Sequence, residues 1–407
     1  MYKIRTFDTY LADALRAADM RILHGPAAFG QTPYAKEYEV KRKAAAAFLA
    51  NVGADGAVID PLVRAPLPRG YRTTSRRRVM MLRREGQLLL ANGDGSVPKV
   101  DAAEETLEPA SHLGIFKSVE TFLRRPRDPL AGAMNHVIVR GTYDEHVLIL
   151  NVQFMDADIV RAAKRCAEYV RSEHPSVVSA WMFHDPRGSR YYLDMERTPG
   201  GIKSKKIFGH AAWRQSVNDV QYQVGVFSFS QINFAIVPAF VDVARTLAAV
   251  RPEDRLLDLY CGYGLFGASL ASQVKNVVAM DLDEDTVGNA RYNIGRAGGK
   301  ALAIASAVTP QSIRKLWSMP RGRGAVESDV VILDPPRAGT AKGVIDAIAQ
   351  GEPRRVVEIF CGHEEIRRSV REWKAAGYRA ERIVPMDLFP GTLGLEVLIS
   401  FVPERKR

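Results

Sequence analysis

Apolar positions along the chain follow two rhythms, and the change comes near residue 236. Before it, Tyr34 to Val52 places alanine, leucine and lysine at helical spacing and predicts an amphipathic helix. Pro61, Pro66, Pro68 and Gly70 then break the pattern. From Tyr71 to about Phe154, short apolar runs such as Val79–Leu82, Leu88–Leu90, His136–Val139 and His146–Leu150 alternate with turns. They predict an antiparallel region. Asp156 to Ser172 reads as a helix capped by Asp156, and a further strand-rich stretch with a basic turn at Gly200–Lys206 reaches about Asn218. Beyond Ile236, a helix (236–250) is followed by apolar runs at 255–260, 277–281, 301–305, 330–334 and 356–360, with helical stretches between them, and by a last strand near 395–401. That alternation predicts an α/β fold with a doubly wound, mostly parallel sheet, whose ligands bind beyond the carboxyl ends of the strands. The expected organisation is an extension with one helix over 1–70, an α+β domain over 71–224 and the parallel-sheet domain over 225–407.

Composition narrows the class. Of 407 residues, 46% are hydrophobic and 25% charged, which fits a globular chain with room for two or three domains. No apolar run reaches eighteen residues, so no membrane span is expected. Acidic residues among the first twenty argue against a secretory or transit segment and favour a cytoplasmic setting, an organelle remaining open. The three cysteines, Cys166, Cys261 and Cys361, form no CxxC pair, disulfide framework or metal-ligand cluster.

The net charge of +11 is uneven: 33 Lys+Arg face 24 Asp+Glu before residue 219. Residues 64–84 hold eight arginines and no acid, among them Arg72, Arg76, Arg77 and Arg78. Such a stretch suits a polyanion, nucleic acid first, because guanidinium binds phosphate in a fork; the alternative is a solvated basic face.

Four places carry candidate chemistry. The run from Tyr260 through Cys261, Gly262 and Gly264 to Gly267 turns from a strand into a helix and lets backbone approach a ligand, or is only a tight turn. Asp281 ends the next strand, placed to bind ribose hydroxyls or to cap the following helix, a role open also to Asp283. Asp334-Pro335-Pro336-Arg337 closes a later strand with a stiff loop, its carboxylate held in place and Arg337 available to clamp a phosphate or carboxylate. Cys361 follows the next strand as a lone thiol, a candidate nucleophile or a core cysteine.

In order, LDLYCGYGLFG (257–267), DPPRAG (334–339), Cys361 and DLFPGTLGLE (387–396) resemble the RNA uracil-5-methyltransferases. Phe229-Ser230-Gln231-Ile232-Asn233 and Gly70-Tyr71-Arg72 resemble two further elements of that family. The likeness is strong over roughly 225–403. It implies a Rossmann-like S-adenosylmethionine methyltransferase domain acting on carbon 5 of a uridine in tRNA or rRNA. By resemblance, Cys361 is the nucleophile and Glu396 the base. Gln231, Tyr260, Gly262, Gly264, Asp281 and Asp334 would hold S-adenosylmethionine, and Arg72, Arg76, Arg77, Arg78, Phe229 and Arg337 would meet RNA. The chain departs from the family at Phe360-Cys361-Gly362-His363, at Gly394 (usually histidine), at Leu265 and at Ser306. It lacks the iron–sulfur cysteines of many members, so no cluster is expected, and it leaves no room for a full N-terminal barrel before Tyr34. The alternative is a lapsed methyltransferase kept as an RNA-binding or ribosome-assembly factor.

Overall fold

The computed structural model describes residues 5–25, 27–82, 87–91, 107–188, 203–319 and 328–404. Arg83, Arg84, Pro26 and the Gly200–Ile202 part of the expected basic turn lie outside them. The chain divides into two compact units, one made of 1–68 with 214–407 and the other of 69–213. The junction at 213/214 lies eleven residues before the sequence-based boundary, because the ribbon formed by Ala212–Val217 and Val220–Gly225 leads into the first unit.

The first unit begins with α1 (Phe7–Ala17), α2 (Tyr34–Leu49) and a short strand, β1 (Val58–Ile59). After 214 come α3 (Val237–Ala248), β2 (Asp254–Leu259), α4 (Leu265–Leu270), β3 (Asn276–Asp281) and α5 (Glu284–Arg296). They are followed by β4 (Ala301–Ala305), α6 (Pro310–Ser318), β5 (Ser328–Leu333), α7 (Val344–Ala349) and β6 (Arg355–Phe360). The unit closes with α8 (Ile366–Ala375), β7 (Tyr378–Met386) and β8 (Glu396–Pro403). The eight strands pair in the order β1-β7-β8-β6-β5-β2-β3-β4. All pairings are parallel except those of β8, which runs against both β6 and β7. Strands β2 to β4 build outward on one side and β5 starts again on the other, so the switch point lies between β2 and β5.

Burial explains the continuous apolar strands. Leu256, Leu257 and Leu259 of β2, Val330 to Leu333 of β5 and Val356 and Val357 of β6 are inaccessible, as expected where helices cover both faces of a parallel sheet. On one face, Phe7, Leu11, Phe29, Val40 and Phe48 from the N-terminal segment join Leu257, Met280, Val331, Trp373 and Val397 in a single core.

The second unit is a six-stranded sheet with Ala110–Leu123 and Ala157–Glu173 sharing its apolar core. Its strands run 87–91, 74–82, 134–141, 146–152, 177–184, 203–208 across the sheet. Asp156 caps the second helix by accepting from Ile159 N at 2.8 Å. The expected antiparallel region holds between Tyr71 and Phe154, where 74–82, 87–91, 134–141 and 146–152 pair antiparallel. Beyond it, strands 146–152 and 177–184 are parallel, because the 17-residue helix between them makes a crossover that a hairpin cannot.

Candidate active site

The glycine turn leaves β2 through strained backbone. Tyr260 holds φ of 59°, a left-handed conformation uncommon for a residue with a side chain, and Gly262 and Gly264 have φ of 52° and 81°. Gly264 must be small for a second reason: a Cβ there would stand 3.0 Å from Ala290 Cα of α5. A Cβ at Gly262 would meet nothing within 4 Å, so the turn presents open space on its outer side. Asn293, fully buried on α5, fixes the turn by donating to Tyr263 O at 2.8 Å.

The two readings of Asp281 separate here. Asp283 caps α5, accepting from Thr286 N at 2.7 Å. Asp281 instead turns to the glycine loop, accepting from Gly262 N at 2.8 Å and from Leu282 N at 2.7 Å. Ser306 N reaches Asp281 O at 2.8 Å, so the end of β4 borders the same place.

A third acid joins this region. Asp258 is buried beneath the turn and accepts from Gly267 N at 2.8 Å. Burial pushes its carboxyl up to about 8, and repulsion from Asp334 and Asp281 adds to that. The half-buried Asp334 is raised to about 7, by burial and then by Asp281. The sequence reading passed over Asp258; the available signal was an acid inside an otherwise apolar strand.

Cys361 and Glu396 come together through strand pairing. In the antiparallel β6–β8 pair, Phe360 faces Val397, so the next residue of one strand and the preceding residue of the other are Cys361 and Glu396. Glu396 is 1% exposed, and among the described residues its Oε2 has no hydrogen-bond partner. Burial holds its carboxyl well above the usual range, Asp334 raises it further, and Arg337 opposes both. The half-buried Cys361 thiol is pushed up to about 12 by burial, then by Glu396 and Asp334, with Arg337 again opposing. Gly362 lets the two loops meet: a Cβ there would lie 2.8 Å from Arg337 O. His363 is buried edge-on against Phe7 and Phe48, with ring centroids 5.2 and 6.1 Å away.

Tyr260 packs against the main core, its hydroxyl raised to about 12 by burial. Gln231 is half-buried, and Phe229 two residues earlier is 61% exposed. Arg337 is exposed. In the other unit, Arg78 is exposed and Arg72 and Arg76 are half-exposed. Arg77 corrects the expectation of an outward basic run. Alternation along the strand turns it inward with Thr73 and Ser75, where it donates to Glu108 Oε1 at 2.9 Å and lies over the Phe116 ring. Among the described residues, no group of three or more His, Cys, Asp or Glu is placed to hold a metal ion, and no helix is long and apolar enough to cross a membrane.

This sheet order, with acids and a glycine turn at the carboxyl ends of its strands, defines a Rossmann-like methyltransferase fold. A solved structure of the same fold is "Pyrococcus abyssi tRNA (uracil-54, C5)-methyltransferase in complex with S-adenosyl-L-homocysteine", with a TM-score of 0.66 and 20% identity over 94% of this chain and 85% of that one. The model of the tRNA (uracil-5-)-methyltransferase family matches residues 209–402, just under half of the chain. An uncharacterised RNA methyltransferase of Halalkalibacterium halodurans is 24% identical over 75% of this chain and 63% of its own length. Another, of Lactococcus lactis, is 32% identical over 45% of this chain and 39% of its own. The chain thus spans less than two thirds of the length of these curated relatives.

Proposed function

We propose that the protein methylates carbon 5 of a uridine in structured RNA, with S-adenosylmethionine as methyl donor and a covalent bond between Cys361 and the base. The observation that carries the reading is the opposition of Cys361 and Glu396 at the carboxyl end of the sheet, beside Asp334 and Arg337.

The cofactor fits the residues present. Asp258, Asp281 and Asp334 repel one another, so a ligand bearing positive charge relieves them, and the open side of Gly262 leaves room for it. Asp281, Asp334, Gln231, Tyr260 and the glycine turn would hold S-adenosylmethionine, which supplies an electrophilic methyl group when bound.

The remaining chemistry belongs to the chain. Carbon 5 of uracil is a weak nucleophile. Thiolate Sγ of Cys361 bonds to carbon 6, and the double-bond electrons move toward carbon 5 and the oxygen on carbon 4. Once carbon 5 carries the methyl group, Glu396 removes its proton, the double bond re-forms and the thiolate leaves. By itself the protein disfavours ionisation of both groups, because burial and the neighbouring carboxylates outweigh Arg337. Positive charge arriving at the carboxylates favours the ionised pair. The base must leave its stack to reach Sγ, at about a few kcal/mol. Exposed Phe229 and Arg337, and the arginines at 72, 76 and 78, are assigned to RNA contact.

The test uses tRNA and ribosomal RNA transcripts carrying 5-fluorouridine, with methyl-labelled S-adenosylmethionine. Fluorine blocks proton removal, so a labelled, denaturation-resistant protein–RNA adduct is expected from the wild type and not from Cys361→Ala. Cofactor binding without adduct on any transcript would sink the covalent mechanism. Absence of both would favour the lapsed RNA-binding reading.

A further inference from the structure

Residues 387–395, which deliver Glu396 to the site, contain neither helix nor strand. What holds them is a buried charged cluster on α2. Lys41 is 0% exposed, and its ammonium group lies 2.9 Å from Glu37 Oε1, 2.8 Å from Asp387 Oδ1 and 3.2 Å from Phe389 O. Its three protons therefore have three acceptors. Glu37 Oε1 also accepts from Gly391 N at 2.6 Å, and Phe29 N donates to Gly391 O at 2.9 Å. Asp387 N reaches Val63 O at 2.9 Å, and Asn233 donates to Leu388 O at 2.8 Å. Thr392 and Gly394 close the loop: Thr392 Oγ1 donates to Phe389 O at 2.8 Å and accepts from Gly394 N at 3.0 Å. Glu396 is two residues further on.

Burying three charges is a poor way to gain stability, since a packed apolar trio of the same volume is often as stable or more so. What charges and hydrogen bonds supply that apolar contact does not is direction. We propose that Glu37, Lys41 and Asp387 form a positioning device that fixes loop 387–395, so that the Glu396 carboxylate meets the proton on carbon 5 while Cys361 is bonded to carbon 6. The inference rests on the methylation reading above. Lys41 is a positioning residue and touches no reacting atom.

The test compares full-length Lys41→Met and Asp387→Asn with the wild type. Attachment of Cys361, read as adduct formation on 5-fluorouridine transcripts, is expected to stay within about twofold, and so is the affinity for S-adenosylhomocysteine. Release from ordinary uridine transcripts is expected to slow by roughly ten- to a hundredfold, the scale of an ångström-sized misplacement. A denaturation-resistant adduct on unfluorinated RNA then accumulates in the variants. Amides of 387–394 should exchange hydrogen faster, with those of β5 unchanged. Unaltered release overturns the proposal. So does a proportional fall of attachment and release, or faster exchange across the whole sheet, either of which marks a purely structural role. Failure of the wild type to form any adduct on the 5-fluorouridine transcripts sinks the methylation reading, and this inference with it.

Discussion

At the scale of single residues, Asp258 and Asp334 carry a consequence for pH. Their carboxyls are raised to about 8 and about 7 in the folded protein, above the roughly 3.9 of an unfolded aspartate. Between those limits the folded state holds protons that the unfolded state has lost. Their contribution to stability is therefore present below about pH 4 and declines as pH rises through 7 and 8. Asp334→Asn removes one such group without changing shape. Thermal melts should show variant and wild type nearly equal below about pH 4, with the variant gaining on the wild type as pH rises toward 8. Calorimetry should show its affinity for S-adenosylhomocysteine reduced by at least about tenfold, since a site whose stability is given up for function behaves in that way. A variant that binds as tightly as the wild type would remove Asp334 from the cofactor site. The sequence marked Asp334 because prolines frame it. It did not mark Asp258, which stands in a strand among leucines, nor the inward turn of Arg77, since an arginine run does not show which residues face the core.

Among the elements, β2, β3, β5 and β6 were legible because burial on both faces leaves continuous apolar runs. The strand Tyr378–Met386 was not: Arg379, Glu381 and Arg382 interrupt its apolar positions, and a register shift between Ala380 and Arg382 breaks the two-residue period. The helix Phe7–Ala17 was missed because its buried stripe is only Phe7, Leu11 and Leu15 among charged neighbours. No local pattern announces that Lys41 pairs with Asp387, 346 residues away. Glycines separate close approach from mere permissiveness. A Cβ at Gly267 on α4 would stand 2.8 Å from Asp258 Oδ2 and 3.2 Å from Ile294 and Val277, all in the packed interior. Gly267→Ala should cost about 1–3 kcal/mol in urea unfolding through overpacking. Gly288, exposed on α5 with nothing within 4 Å, provides the contrast: Gly288→Ala should stabilise by about 0.5–1 kcal/mol. Equal effects at the two sites would mean that helix propensity, not packing beneath the turn, governs α4.

For the whole molecule, the stretch matched by the family model and the stretch needed to close a core differ. The matched residues begin at 209, but the core on one face of the sheet also draws on Phe7, Leu11, Phe29, Val40 and Phe48. Each of these is 3% exposed or less, and burying such a side chain contributes about 1.5–3 kcal/mol. Five of them together amount to roughly 10 kcal/mol, comparable with the whole net stability of an ordinary domain. The same N-terminal segment encloses His363 just after Cys361 and holds loop 387–395 before Glu396. A fragment of residues 209–407 should therefore show no cooperative thermal transition and should bind dyes that report exposed apolar surface. Adding residues 1–68 as a separate chain should restore the transition in proportion to its concentration. The unit at 69–213 has its own core around Ile115, Phe122, Val137, Leu148 and Val170. That fragment is expected to unfold cooperatively without help. If 209–407 alone melts within about 5 °C of the full chain, where about 1 kcal/mol shifts a domain of this size by roughly 2–4 °C, the N-terminal helices contribute far less than their burial implies.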